Sequence, residues 1–112
     1  MSRYVWFFLV KAEALDGGDL LTPGSEAMLQ VCVPGVDLES TLLQLARFLT
    51  SERYARRDLS IARRYDLENG DEEFPSAYLE GDIRGVAADG KACISCTIIS
   101  RDSASYLHEK PS

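Results

Sequence analysis

Apolar positions dominate both sides of the chain from Tyr4 to Ala14. Tyr4, Trp6, Phe8, Val10, Ala12 and Ala14 fall on one face of an extended segment. Val5, Phe7 and Leu9 fall on the other, which turns polar only at Lys11 and Glu13. A strand apolar on both faces is central in its sheet, or has its second face covered. Asp16-Gly17-Gly18-Asp19 and Thr22-Pro23-Gly24-Ser25 punctuate the loop that follows. Ala27, Leu29, Val31 and Val33 then alternate with other residues to give a second strand, stopped by Pro34-Gly35.

Asp37 offers its carboxylate as an N-cap to the amides of Glu39 or Ser40. Beyond it Leu38, Leu42, Leu45 and Leu49 recur at helical spacing, with Ala46 beside them, so a helix runs to about Thr50. Leu59, Ile61, Tyr65 and Leu67 alternate with Ser60, Arg64 and Asp66 as a third strand, interrupted by Arg63 and Ala62. An acidic loop from Glu68 to Ser76 holds Asn69-Gly70 and Pro75.

Asp89-Gly90 reads as a two-residue hairpin turn, because a type I′ turn needs positive φ at both central residues. Closing the chain there sets Ile83 opposite Cys96, Gly85 opposite Ile94 and Gly81 opposite Ile98. Leu79, Ala87 and Ala92 share that face; Tyr78, Glu80, Asp82, Arg84, Ser95 and Thr97 share the other. The predicted order is ββαβββ. That is an α+β two-layer sandwich, a mostly antiparallel sheet of about five strands with one main helix on one face. A ferredoxin-like βαββαβ arrangement needs a second helix, which only Ser51–Arg57 or the acidic loop would supply, and neither has an apolar stripe. Residues 1–101 form the domain, and 102–112 a polar C-terminal tail or short helix.

The length of 112 residues suits one domain able to bury a core without metal or disulfide. The run Tyr4–Val10 followed by Ala12-Glu13-Ala14 mimics a signal peptide, but Lys11 interrupts it and its aromatic and β-branched content suits a strand. No apolar run approaches the ~18–20 residues of a membrane span. Three cysteines give no complete disulfide framework, which fits a cytoplasmic address.

The formal net charge of −6 disfavours nucleic acid and anionic membranes, which need a positive field. The charge is unevenly spread. Arg47, Arg53, Arg56, Arg57, Arg63 and Arg64 precede Asp66, Glu68, Asp71, Glu72, Glu73, Glu80 and Asp82, with no base among those carboxylates. The arginines, with Tyr54 and Tyr65 as stacking partners, would make an anion or RNA patch. No RNP or G-x-x-G motif accompanies them, and a salt-bridged helix end and strand edge is the better account.

The sole histidine, His108, lies four residues from the last residue, so imidazole chemistry is not expected. Cys93-Ile94-Ser95-Cys96 matches C-x-x-C, yet no second pair or histidine set completes a zinc site. Residues three apart in a regular strand point to opposite faces, so these thiols are expected to pack apart. Gly17-Gly18 and Gly81-x-x-x-Gly85 lack the residues of a phosphate loop; the latter glycines are expected to make room for bulky neighbours. No cofactor and no metal site is expected.

Glu80 and Asp82, with Arg84, share the hairpin's open face and form the first choice for a polar ligand or metal. The Val5, Phe7 and Leu9 row needs a cover: Leu20, Leu21, Phe74, Tyr106 or Leu107, or else a second copy or partner. The leading expectation is a non-enzymatic, acidic cytoplasmic protein that binds or inhibits a basic protein partner, as an immunity protein does. Asp71, Glu72, Glu73, Glu80, Asp82 and Arg84 would form its contact surface. The alternative is a homodimeric small-molecule or metal-binding domain, or an enzyme, using Glu80, Asp82 and Arg84.

Overall fold

The computed structural model describes residues 3–17, 21, 23–69 and 77–99. Its elements are β1 (Tyr4–Ala14), β2 (Glu26–Pro34), α1 (Leu38–Ser51), β3 (Tyr54–Asp66), α2 (Ala77–Asp89) and β4 (Cys93–Ile99). The strands form one four-stranded sheet in the order β3-β1-β2-β4, with every neighbouring pair antiparallel. The α+β class and antiparallel sheet agree with the sequence pattern. The number of strands, the order and the layering do not: the sheet has four strands, the order is ββαβαβ, and a helix covers each face.

β1 is central, as its two-sided apolarity requires. Phe8, Val10, Ala12 and Ala14 join Leu29, Val31 and Val33 of β2 beneath Leu45 and Leu49 of α1. Asp37 caps that helix as its position predicts, accepting from the Ser40 N–H at 2.9 Å. The apolar stripe is rotated from the leucine spacing. Leu38 is 40% exposed, while Thr41 is buried and Phe48 packs against the core.

On the opposite face Val5, Phe7, Cys32 and Tyr65 pack beneath Leu79, Ile83, Val86 and Ala87 of α2. The predicted hairpin over this segment is therefore a helix followed by a separate strand. Gly90 does adopt positive φ, at 70°, but as the residue that ends the helix: its N–H donates to the Val86 carbonyl at 2.8 Å. Two internal glycines, Gly81 and Gly85, disfavour the helix by about 1–2 kcal/mol together relative to alanine. Burying Leu79, Ile83 and Val86 contributes about 1.5–3 kcal/mol each. Packing outweighs propensity.

The second helix thus comes neither from Ser51–Arg57, most of which is strand, nor from the acidic loop. It also covers the Val5, Phe7 and Leu9 row within the chain. Val5 and Phe7 are buried and Leu9 half-buried against α2. Leu21 belongs to the core under α1. The other proposed covers, Leu20, Phe74, Tyr106 and Leu107, lie outside the described residues.

Strand β3 runs longer than its alternation predicts and changes face on the way. Leu9 pairs with Ile61 but Val10 with Leu59, so Ser60 is an extra residue; a second shift falls between the partners of Lys11 and Ala12. A one-residue bulge swaps the faces of everything beyond it. Tyr65 consequently packs under α2, whereas Leu59 and Tyr54 pack under α1. The tail from residue 102 lies outside the described residues.

Candidate functional site

The acidic run begins where β3 ends. Asp66 receives Arg3 Nε and Nη2 at 3.1 and 3.0 Å, and also accepts from the backbone N–H groups of Glu68 and Asn69. Hydrogen bonding from the Arg3 guanidinium holds the Asp66 carboxyl well below the usual carboxylate range. This aspartate closes the turn after β3 and ties it to the start of β1. Glu68 lies 3.4 Å from the same guanidinium. Asp71, Glu72 and Glu73 lie outside the described residues.

Glu80, Asp82 and Arg84 stand on α2, not in a row on an open strand. Residues 80 and 84 are one helical turn apart, and Arg84 Nη2 reaches Glu80 Oε1 at 3.0 Å. Asp82, two residues on from Glu80, points to a different side of the helix. Its Oδ2 is buried and has no hydrogen-bond partner among the described residues. The two carboxylates are therefore not a pair, and no group of three or more His, Cys, Asp or Glu side chains among the described residues is arranged to hold a metal ion.

Arg56, Arg57, Arg63 and Arg64 stand on edge strand β3, while Arg47 lies in α1 and Arg53 in the turn between them, and several are engaged within the chain. Arg57 Nη2 reaches Glu13 at 2.7 Å. Arg64 donates to the Val36 carbonyl at 3.1 Å, and its guanidinium carbon lies 4.4 Å from the Tyr4 ring centroid. Arg63 lies 5.0 Å over Tyr65. Tyr54 and Tyr65 are both buried, so neither offers a base an open stacking face. Charged side chains along an edge also discourage edge-to-edge pairing.

The cysteines are arranged in a way the sequence did not disclose. Cys32 of β2 lies directly opposite Cys93 of β4. Further along, Val31 pairs with Ile94 but Gln30 with Cys96, so Ser95 is an extra residue. That bulge reverses the parity expected of C-x-x-C: Cys93 and Cys96 oppose residues that share the α2 face. Ser95 is buried, and its hydroxyl donates to the Gln30 carbonyl at 3.1 Å. All three thiols are free.

Cys32 does not stand out as a site residue in the sequence, because it falls among the alternate positions of β2, off the Ala27, Leu29, Val31 and Val33 row. Its partner became visible only through the pairing of β4 with β2. Burial and a hydrogen bond to Cys93 push the Cys32 thiol well above its ordinary value, the hydrogen bond most strongly. The same bond draws Cys93 down, against the opposing effects of desolvation and the Asp82 charge. The hydrogen bond thus favours ionisation at Cys93, the half-buried member of the pair, over Cys32. His108 lies outside the described residues. Comparison with protein-family models, with curated proteins and with solved structures gives no match to this chain.

Proposed function

We propose that this chain is a non-enzymatic, cytoplasmic protein-binding module of the inhibitor or immunity type. Its acidic connection between β3 and α2 docks on a basic protein partner. The observation that carries this reading is the run of carboxylates from Asp66 to Asp82 with no intervening base, in a chain of net charge −6. Long-range attraction of this kind accelerates encounter with a positive cleft and weakens as salt screens it.

Sealed sheet faces support the same reading. With α1 over one side and α2 over the other, the contact surface falls to connections and edges. Asp66 is occupied in closing its own turn, Glu68 lies 3.4 Å from the Arg3 guanidinium and Glu80 pairs with Arg84, so this reading assigns the contact chiefly to Asp71, Glu72 and Glu73 of the sequence. Among the described residues no helix is long and apolar enough to cross a membrane.

The test is capture from native extract by the wild-type chain and by an Asp71→Lys, Glu72→Lys, Glu73→Lys variant, at low and high salt. A basic protein retained by the wild type should be lost at least tenfold, about 1.4 kcal/mol, by the variant. Its capture by the wild type should also fall with salt. Circular dichroism checks that the variant keeps its fold. Equal capture by the two chains, insensitive to salt, refutes the acidic surface as the interface.

A further inference from the structure

We infer that Cys32 and Cys93 are an oxidisable cross-strand pair, which a low-molecular-weight disulfide converts into an intramolecular disulfide tying edge strand β4 to β2. The inference concerns a different part of the molecule from the acidic connection and does not depend on it.

Geometry selects this pair from the three cysteines. Cys32 and Cys93 are directly opposed antiparallel partners. Such partners have Cα atoms about 4.5–5.5 Å apart, inside the roughly 4.4–6.8 Å that a disulfide spans. Both belong to the cluster under α2. Cys96 opposes Gln30, two residues along β2 from Cys32. A diagonal neighbour of that kind lies at about 7–8 Å, beyond easy bridging. Cys93 and Cys96, three residues apart along one strand, are separated by roughly 10 Å if fully extended and somewhat less across the bulge.

The two thiols also differ in the way the chemistry needs. Cys32 is fully buried, while Cys93 is half-buried and open to a small reagent. The hydrogen bond from Cys32 favours the Cys93 thiolate, which is the attacking species. Cys93 Sγ attacks one sulfur of the small disulfide, forming a mixed disulfide and expelling one thiolate. Cys32 then gives up its proton and attacks Cys93 Sγ, expelling the second thiolate. The protein pair loses two electrons and two protons, and the reagent gains them as two small thiols. The second step needs no solvent access to Cys32, because its target is its own cross-strand neighbour.

Asp82 adds a brake. Its charge acts against ionisation of both thiols, and its Oδ2 is buried with no hydrogen-bond partner among the described residues. A neutral disulfide carries no such repulsion, so the carboxylate slows the first attack without opposing the product.

The experiment incubates the folded chain with glutathione disulfide, traps remaining thiols by alkylation after acid quench, and maps peptides by mass spectrometry. The expected product is a Cys32–Cys93 linked peptide, with Cys96 alkylated and the linkage reversed by dithiothreitol. Cys96→Ser should give the same linkage. Cys93→Ser should leave Cys32 unreacted in the folded state. Asp82→Asn should raise the initial rate severalfold. A linkage through Cys96, a stable glutathione adduct on Cys93, or no reaction until the chain is denatured overturns the inference. A rate unchanged by Asp82→Asn overturns the role given to the carboxylate. The mapping of the wild-type chain decides the pairing even where a variant fails to fold.

Discussion

Alanine at Gly81 and Gly85 should stabilise this protein, whereas alanine at Gly90 should destabilise it. The first two glycines lie inside α2, exposed and one turn apart, and an added Cβ at either meets no atom of the described residues within 4 Å. A glycine inside a helix costs about 0.5–1 kcal/mol relative to alanine, because it gives up more backbone freedom on folding. The double variant should therefore gain about 1–2 kcal/mol. Unfolding entropy near 2.1 cal/mol/K per residue amounts to roughly 240 cal/mol/K for a chain of 112 residues. Each kcal/mol then moves Tm by about 4 °C, and the pair should raise it by about 4–8 °C. Gly90 has φ of 70° where the helix stops. Alanine pays roughly 1–2 kcal/mol to hold that left-handed conformation, a fall of about 4–8 °C. Thermal and urea unfolding followed by circular dichroism measures all three variants. Loss of stability at Gly81 or Gly85 would mean that these glycines make room for a neighbour, and would refute the unobstructed helix. A neutral Gly90→Ala would refute the left-handed cap.

Ile83 of α2 is fully buried against the sheet, so Ile83→Ala should cost about 2–5 kcal/mol in urea unfolding; a cost below about 1 kcal/mol would mean that α2 does not seal the second face. A Cβ at Gly35 would overlap Thr41 Oγ1, which is held by donation to the Asp37 carbonyl at 2.6 Å. Gly35→Ala should cost about 1–3 kcal/mol, with much of the loss recovered in a Thr41→Ala background, read by a double-mutant cycle. Asp66 has a carboxyl held low by Arg3, so its contribution to stability is complete above the unfolded-state value near 3.9 and is lost as pH falls through the lower folded value. Arg3→Ala should return the Asp66 titration toward the ordinary range in carbon-detected NMR; an unmoved titration would place the cause elsewhere.

How far the chain was legible depends on how strongly burial constrained each segment. β1, β2 and α1 each carry one long periodic stripe whose inward face cannot be exchanged without exposing several large side chains. Their limits, and the Asp37 cap, follow from that. β3 lies at an edge and has many exposed residues, so little apolar surface penalises the loss of alternation. Its extra residue at Ser60 moves Leu59 to the opposite face from Tyr65, and no local residue pattern announces such a shift. The same applies at Ser95, where a bulge brought Cys93 and Cys96 to one face against the ordinary parity.

The segment from 77 to 89 was misread for a different reason. Counting Gly81, Gly85 and Ala87 as apolar manufactured an alternation around Leu79 and Ile83, and left Val86 on the polar side. Leu79, Ile83, Val86 and Ala87 instead follow the +4, +3, +1 spacing of a helix face. Asp-Gly did not arbitrate, since a positive φ at glycine serves a helix end as well as a hairpin. The arbiter was already present in β1. Burial of Val5 and Phe7 is worth about 1.5–3 kcal/mol each, more than the ~1 kcal/mol range of intrinsic strand preference. A face that demands that much cover, with one helix committed to the other side, requires a second amphipathic element. Only a helix spaced as 79, 83, 86 and 87 presents a continuous apolar surface from this part of the chain.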